Sequence, residues 1–98
     1  MFELEWPDEA REIYAQLKAS PSQIIRYKAV KKTLQYLAAN PRHPGLQTHI
    51  FLSLEGPNGE NVFEAYAQQR TPVAYRVFWY YGAMRRVIVI LTITAHPK

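Results

Sequence analysis

The chain has 98 residues, which predicts a single domain over residues 1–98, and its 48% hydrophobic content argues against disorder. The absence of cysteine excludes disulfides and thiolate metal sites. The sequence shows neither a secretory leader nor an apolar run that could span a bilayer. We therefore expect a cytoplasmic protein with no membrane partner. Lys and Arg total 12 against 8 for Asp and Glu, so the net charge of +4 and the pI near 9.5 favour a polyanionic partner such as nucleic acid.

The first predicted elements are a short strand and a helix with an acidic start. Apolar and acidic residues alternate in FELEW, residues 2–6, as they do in a half-buried strand. The segment PDEAREIYAQLKAS, residues 7–20, opens with proline and acidic residues, which suit the positive end of a helix dipole. Its apolar residues recur at helical spacing, and Pro21 is expected to end the helix.

The second predicted helix, residues 22–40, is basic. Ser22 is its predicted N-cap, and the segment from Lys18 to Arg42 contains no acidic residue, which predicts one basic face. Its side chains fit two different stripes, so the pattern leaves open which face is buried. The two stripes are Ile24, Tyr27, Lys31, Leu34 and Leu37, or Ile25, Ala29, Lys32 and Tyr36.

Four strands are predicted after a loop rich in proline and glycine. They are residues 48–54, 62–68, 74–81 and 86–96. Asn58 and Gly59 mark the first connection between them as a hairpin turn. Two helices followed by a meander of strands predict an α+β fold in the order β-α-α-β-β-β-β, with both helices packed on one face of a mostly antiparallel sheet.

Side chains alternate between the two faces of each strand, which separates an apolar face from a mixed one. In the last strand the fully apolar set is expected beneath the helices, and it comprises Val87, Val89, Leu91, Ile93 and Ala95. The mixed faces of the later strands are expected on the other side of the sheet. Together they comprise Glu64, Tyr66, Arg76, Tyr80, Thr92, Thr94 and His96.

Arg76, His96 and Glu64 are residue types that cleavage of RNA without a metal requires. The 2′-hydroxyl needs a base, the phosphoryl oxygens need a fixed cation, and the leaving 5′-oxygen needs an acid. An arginine fork matches phosphate oxygens, and histidine titrates near neutral pH. Candidate RNA-binding residues, cationic or able to stack on bases, are Arg26, Lys28, Lys31, Lys32, Arg42, Tyr66, Arg70 and Tyr80.

No metal or other cofactor is expected, because the histidines at 43, 49 and 96 lack the spacing of a zinc site. The candidate residues also have structural interpretations. Arg76 can pair with Glu64 across neighbouring strands, and the tyrosine-rich strand can be ordinary cross-strand packing. The lysines of the second helix can form a solvated face, and His96 lies near the end of the chain, where residues are often frayed.

The element order, with LAANPRHPGL at residues 37–46 and AYRVFWYYG at residues 74–82, resembles the RelE/ParE superfamily of toxins from toxin–antitoxin systems. The resemblance implies an endoribonuclease that cuts mRNA at the ribosome and a cognate antitoxin that neutralises it. It implies that Arg76 holds the phosphate and that His96 acts as acid or base, as in YoeB-like members. The contributing carboxylate is Glu64 by strand face, or Glu55 or Glu60 from the neighbouring turn.

The sequence also departs from the family pattern. The strand at residues 62–68 has no lysine where RelE itself carries lysines, which disfavours a lysine-based mechanism. Two alternatives to the nuclease therefore stay open. One is a ParE-like inhibitor of DNA gyrase, which needs no catalytic residues, and the other is a degenerate RelE-fold binding module without nuclease activity.

Overall fold

The computed structural model describes residues 1–69 and 73–95, so two candidate residues, Arg70 and His96, lie outside the described residues. The described chain is α+β, with two helices and a five-stranded mixed sheet. The elements in order are β1 (Glu3–Glu5), α1 (Asp8–Ala19), α2 (Ile24–Ala39), β2 (His49–Glu55), β3 (Asn61–Tyr66), β4 (Arg76–Tyr81) and β5 (Val87–Thr94). This order of helices and strands is the one expected from the sequence.

The strands lie in the order β1-β5-β4-β3-β2 across the sheet. The meander from β2 to β5 is antiparallel, and the short β1 pairs in parallel with the start of β5. The predicted hairpin between β2 and β3 is confirmed, since Gly59 has a φ of +81°, a conformation that glycine adopts without strain. No helix in residues 1–69 and 73–95 has the length and apolar character needed to cross a bilayer.

Both helices pack on the same face of the sheet, as expected, and the core lies between the two layers. Apolar residues at helical spacing on α1 and α2 meet apolar residues at alternate positions of β3, β4 and β5. The buried cluster comprises Ala10, Leu17, Val30, Leu34, Leu37, Leu46, Ala65, Val77, Trp79, Ile88, Ile90 and Ile93. No helix of the described chain packs on the opposite face of the sheet, which is called the open face below, although several of its side chains, such as Val62, Glu64 and Phe78, are buried. The open face carries the polar residues of β3 and β4.

The start of α2 differs from the sequence-based expectation. Pro21–Gln23 form a 3₁₀ turn that leads directly into the helix, so the chain is already turning at Ser22. The residue before α2 is Gln23, and no side chain caps the helix there, which makes the predicted N-cap wrong. The sequence left the buried face of α2 open, and the first stripe is the nearer one, since α2 buries its Leu34 and Leu37 together with Val30 and Thr33.

Strand β5 contains a bulge that the sequence pattern did not indicate. Phe78 of β4 pairs with Thr92, but the next residue, Trp79, pairs with Ile90, so Leu91 is an extra residue on β5. Because side chains alternate with a period of two, one extra residue reverses the faces of all the residues before it relative to those after it.

The bulge makes part of the expected core wrong. Val87 and Val89 were expected beneath the helices, but they form a separate small cluster with Tyr80, against which Leu91 packs. The β5 residues in the main core are instead Ile88, Ile90 and Ile93. The same reversal places Thr92 and Thr94 on the open face, where the register sets Thr94 opposite Arg76.

The bulge can be tested by the stability of two alanine variants. Ile90 is fully buried, so Ile90→Ala should cost about 2–5 kcal/mol of unfolding free energy, the usual range for a cavity of this size. Leu91→Ala removes a partly exposed side chain and should cost clearly less. Urea unfolding followed by circular dichroism measures both, and a larger cost for Leu91→Ala would mean that β5 alternates regularly with Leu91 in the core.

Candidate functional site

A buried carboxylate, Glu64, lies at the centre of the open face. Only 2% of its side chain is exposed, and an unpaired charge at such a position would be strongly unfavourable. Arg76 Nη1 donates to Glu64 Oε2 at 3.1 Å, and His49 Nε2 lies 2.6 Å from Glu64 Oε1. Each carboxylate oxygen therefore has a basic partner from a different neighbouring strand.

The strand register explains why these three side chains meet. His49 on β2 lies directly opposite Glu64 on β3, and their side chains project from the same face. On β4 the residue opposite Glu64 is Phe78, and Arg76 lies two residues before it, one diagonal step away. A long arginine side chain can span that diagonal, so the sequence-based expectation that Glu64 and Arg76 share a face is confirmed.

Arg76 combines a fixed guanidinium with access to solvent. Its side chain is 32% exposed, and its guanidinium carbon lies 5.1 Å from the centre of the Tyr66 ring, directly across the ladder. Its buried Nε has no hydrogen-bond partner among the described residues. A guanidinium has five N–H donors. Arg76 contacts Glu64 through Nη1, so most of its donors take no part in this ion pair.

His49 is the member of this cluster that sequence reasoning missed, because it was considered only as a possible zinc ligand. Its side chain is 51% exposed, its ring meets Tyr66 edge-on at 5.8 Å, and its Nδ1 lies 3.1 Å from the carbonyl oxygen of Gln47. A regular ladder from the Glu55–Asn61 pair would set His49 opposite Ala67. An irregularity between Ile50 and Glu55 shifts the register to Glu64, and the sequence carried no signal for that shift.

The other two carboxylates considered from the sequence are engaged elsewhere. Glu60 Oε1 accepts a hydrogen bond from the backbone N–H of Asn58 at 2.8 Å, which supports the hairpin turn. Glu55 is exposed and lines a groove with residues of α1 and β5. Of the three carboxylates, Glu64 is therefore the one that contacts Arg76.

The candidate RNA-binding residues divide into several groups. Lys32 and Tyr66 line one groove of about 300 Å³ between α2 and β3, together with Tyr36, whose ring lies 5.6 Å from the Lys32 amine. Because Tyr66 also contacts Arg76, the groove adjoins the Glu64 cluster. The other exposed cationic candidates are Lys28 and Lys31, which precede Lys32 on α2, and Arg42 in the loop after the helix.

Two other candidates have contacts that hold the fold together. Arg26 donates to Gln23 at 2.6 Å, and its guanidinium lies 4.1 Å from the centre of the Tyr75 ring, so it links α2 to the start of β4. Tyr80 is only 8% exposed, which leaves little of its ring for a base to stack on. Burial, followed by the charges of Glu60 and Glu5, raises the pKa of Tyr80, so its phenol stays protonated at neutral pH.

The cluster has the parts needed to hold and protonate an anion. Arg76 offers a fixed cation, His49 offers a titratable group at the surface, and Tyr66 offers an aromatic face beside both. Within residues 1–69 and 73–95 no group of three or more His, Asp or Glu side chains is placed to bind a metal ion.

Comparison with protein-family models, with curated proteins and with solved structures gives no match to this chain. The likeness to the RelE/ParE toxins therefore rests on the sequence pattern alone. Function has to be inferred from the side chains of the open face and their contacts.

The pairing of Arg76 with Glu64 predicts a coupling in stability. Arg76→Ala leaves a buried carboxylate with His49 as its remaining partner and should cost about 1–3 kcal/mol. In a Glu64→Gln background the same change should cost less, because no charge is left unpaired. Urea unfolding of the two single variants and the double variant gives the coupling energy, and additive costs would show that the pair does not interact.

Proposed function

We propose that this protein is a toxin of the RelE/ParE type that cleaves mRNA at the ribosome without a metal. The observation that carries the proposal is the fixing of Arg76 by the buried Glu64, at the surface of an open sheet and beside Tyr66. A cation that is already held in place loses little freedom when it binds a phosphate, which is the condition for electrostatic catalysis.

In this proposal each residue has a defined part in phosphodiester cleavage. Arg76 binds the non-bridging oxygens of the scissile phosphate and stabilises the charge that develops on them. Tyr66 supports a flanking base, and Lys32 holds the RNA backbone along the adjoining groove. The 2′-hydroxyl attacks phosphorus, the bond to the 5′-oxygen breaks, and the products are a 2′,3′-cyclic phosphate and a free 5′-hydroxyl. His96 has the acid–base role that the resemblance implies.

The arrangement of strands and charge supports this assignment. The order β-α-α-β-β-β-β, with two helices on one face, agrees with a RelE-like topology. The run from Lys18 to Arg42 without an acidic residue gives α2 a basic surface, of which Lys32 shares a groove with Tyr66. A cognate antitoxin is the proposed protein partner, since an active basic and aromatic surface on so small a toxin has to be covered in the cell.

The Arg76–Glu64 pair also favours one alternative, a RelE-fold binding module without nuclease activity. In that case Arg76 serves to neutralise Glu64, and its replacement affects folding but no reaction. The two functions differ in the expected effect of Arg76→Lys. Lysine keeps the positive charge beside Glu64, but it lacks the planar pair of N–H donors with which arginine binds two phosphate oxygens.

The test is induction of the wild type, Arg76→Lys and a control in a bacterial host, with mapping of mRNA 5′ ends in ribosome-bound and free fractions. The control is Arg85→Lys, an exposed arginine in the turn after β4. Wild type and control should arrest growth and produce new 5′ ends within translated codons, while Arg76→Lys should reduce cleavage about 10²-fold, the cost of losing a transition-state donor.

Two results would contradict the nuclease. Equal cleavage by Arg76→Lys and the wild type would remove Arg76 from the reaction. Growth arrest by a folded wild type without new 5′ ends would instead point to a gyrase inhibitor, which a DNA supercoiling assay on the purified protein identifies. If the wild type causes neither arrest nor cleavage, the binding module is the remaining function.

A further inference from the structure

Both ring nitrogens of His49 face atoms that can only accept a hydrogen bond. Nε2 lies 2.6 Å from a carboxylate oxygen of Glu64, and Nδ1 lies 3.1 Å from the backbone carbonyl oxygen of Gln47. A neutral imidazole has a single N–H and would leave one of these contacts as two lone pairs facing each other. The geometry therefore fits the doubly protonated imidazolium, which donates at both positions.

The two nitrogens are held very differently. The acceptor of Nε2 is buried, charged and fixed by Arg76, so the Nε2–H bond is an anchor. The acceptor of Nδ1 is a neutral carbonyl on an exposed residue, Gln47, at the edge of the sheet. A carboxylate that fixes one imidazole nitrogen is the arrangement that orients a catalytic histidine in hydrolases. Nδ1 would have to exchange its bond to the Gln47 carbonyl for one to a substrate oxygen before it could pass on its proton.

We propose that His49 is the proton donor to the leaving 5′-oxygen and that Glu64 is its positioning residue, an inference that rests on the proposed nuclease function. The proton on Nδ1 passes to the 5′-oxygen as its bond to phosphorus breaks. The electron pair of the N–H bond stays on the ring, and the ring regains a proton from solvent. The proton of the attacking 2′-hydroxyl passes to water.

The positions of Arg76 and His49 fit these two roles, phosphate binding by Arg76 and proton donation by His49. They contact the two oxygens of one carboxylate, so a phosphate held by Arg76 lies next to the His49 ring. The titratable side chains that face His49 are Glu64 and Tyr66, and Arg76 acts on it through Glu64. Because both oxygens of Glu64 are engaged, the contribution assigned here to this carboxylate is to position Arg76 and His49.

The test separates a proton donor from a residue that only supports the fold. Ribosomes are programmed with mRNA carrying either the natural phosphate or one in which sulfur replaces the scissile 5′-oxygen. Sulfur leaves as a thiolate and needs no proton, so only cleavage of the natural RNA depends on an acid. The variants are His49→Gln and a matched control, His43→Asn, whose amide oxygen can still accept from the N–H of Gly45 as His43 does.

His49→Gln should cleave the natural RNA about 10²-fold more slowly than the wild type and the sulfur RNA at nearly the wild-type rate. His43→Asn should match the wild type on both substrates.

Several results would overturn the inference. If His49→Gln cleaves natural RNA as fast as the wild type, His49 has no part in the reaction, although the nuclease stands. If its deficit is equally large on sulfur RNA, His49 supports the site without giving a proton. If the wild type cleaves neither RNA, the proposed function fails and the role of His49 fails with it.

Discussion

The removal of the Glu64 carboxylate from water is the constraint on which the open face of the sheet depends. A carboxylate that is 2% exposed requires partners that donate hydrogen bonds to it or carry positive charge, and its two basic partners, Arg76 and His49, come from the strands on either side of β3. Their attraction to Glu64 holds Arg76 and His49 in fixed positions, although both side chains belong to types that usually move freely at a surface. The attraction of these partners to the carboxylate offsets the cost of burying its charge, and it orders the two basic side chains next to each other.

Two irregularities in the sheet bring the right residues to that face. The register shift in β2 places His49 opposite Glu64, whereas a regular ladder would have set His49 opposite Ala67. The bulge at Leu91 turns the threonines of β5 to the open face while isoleucines fill the core. Bulges often re-aim side chains beside functional sites, and both irregularities flank the strands that carry Glu64 and Arg76.

Much of this architecture could be predicted from the sequence, since alternation and helical spacing are local properties. They gave the order of elements, the helix-covered sheet and the shared face of Glu64, Tyr66 and Arg76. His49 could not be found in the same way, because its partner is set by a register shift that involves backbone pairing across a hairpin. Val87 and Val89 were misassigned to the main core for the same reason, since Leu91 bulges without a glycine to mark the position, whereas Ile93 and Ala95 are buried as expected.

The energetics of the ion pair bear on why Arg76 lies within an aromatic strand. A buried ion pair is a poor way to hold strands together, because apolar side chains of similar volume stabilise a sheet at least as well without the cost of desolvation. The neighbouring pair of Phe51 and Phe78, with ring centres 5.1 Å apart, packs the same face in that simpler way. What the charged pair provides, and an apolar pair cannot, is a guanidinium that is one-third exposed and aimed by a buried carboxylate. Packing alone does not call for that arrangement, and it is the one that the proposed recognition of a phosphate would require.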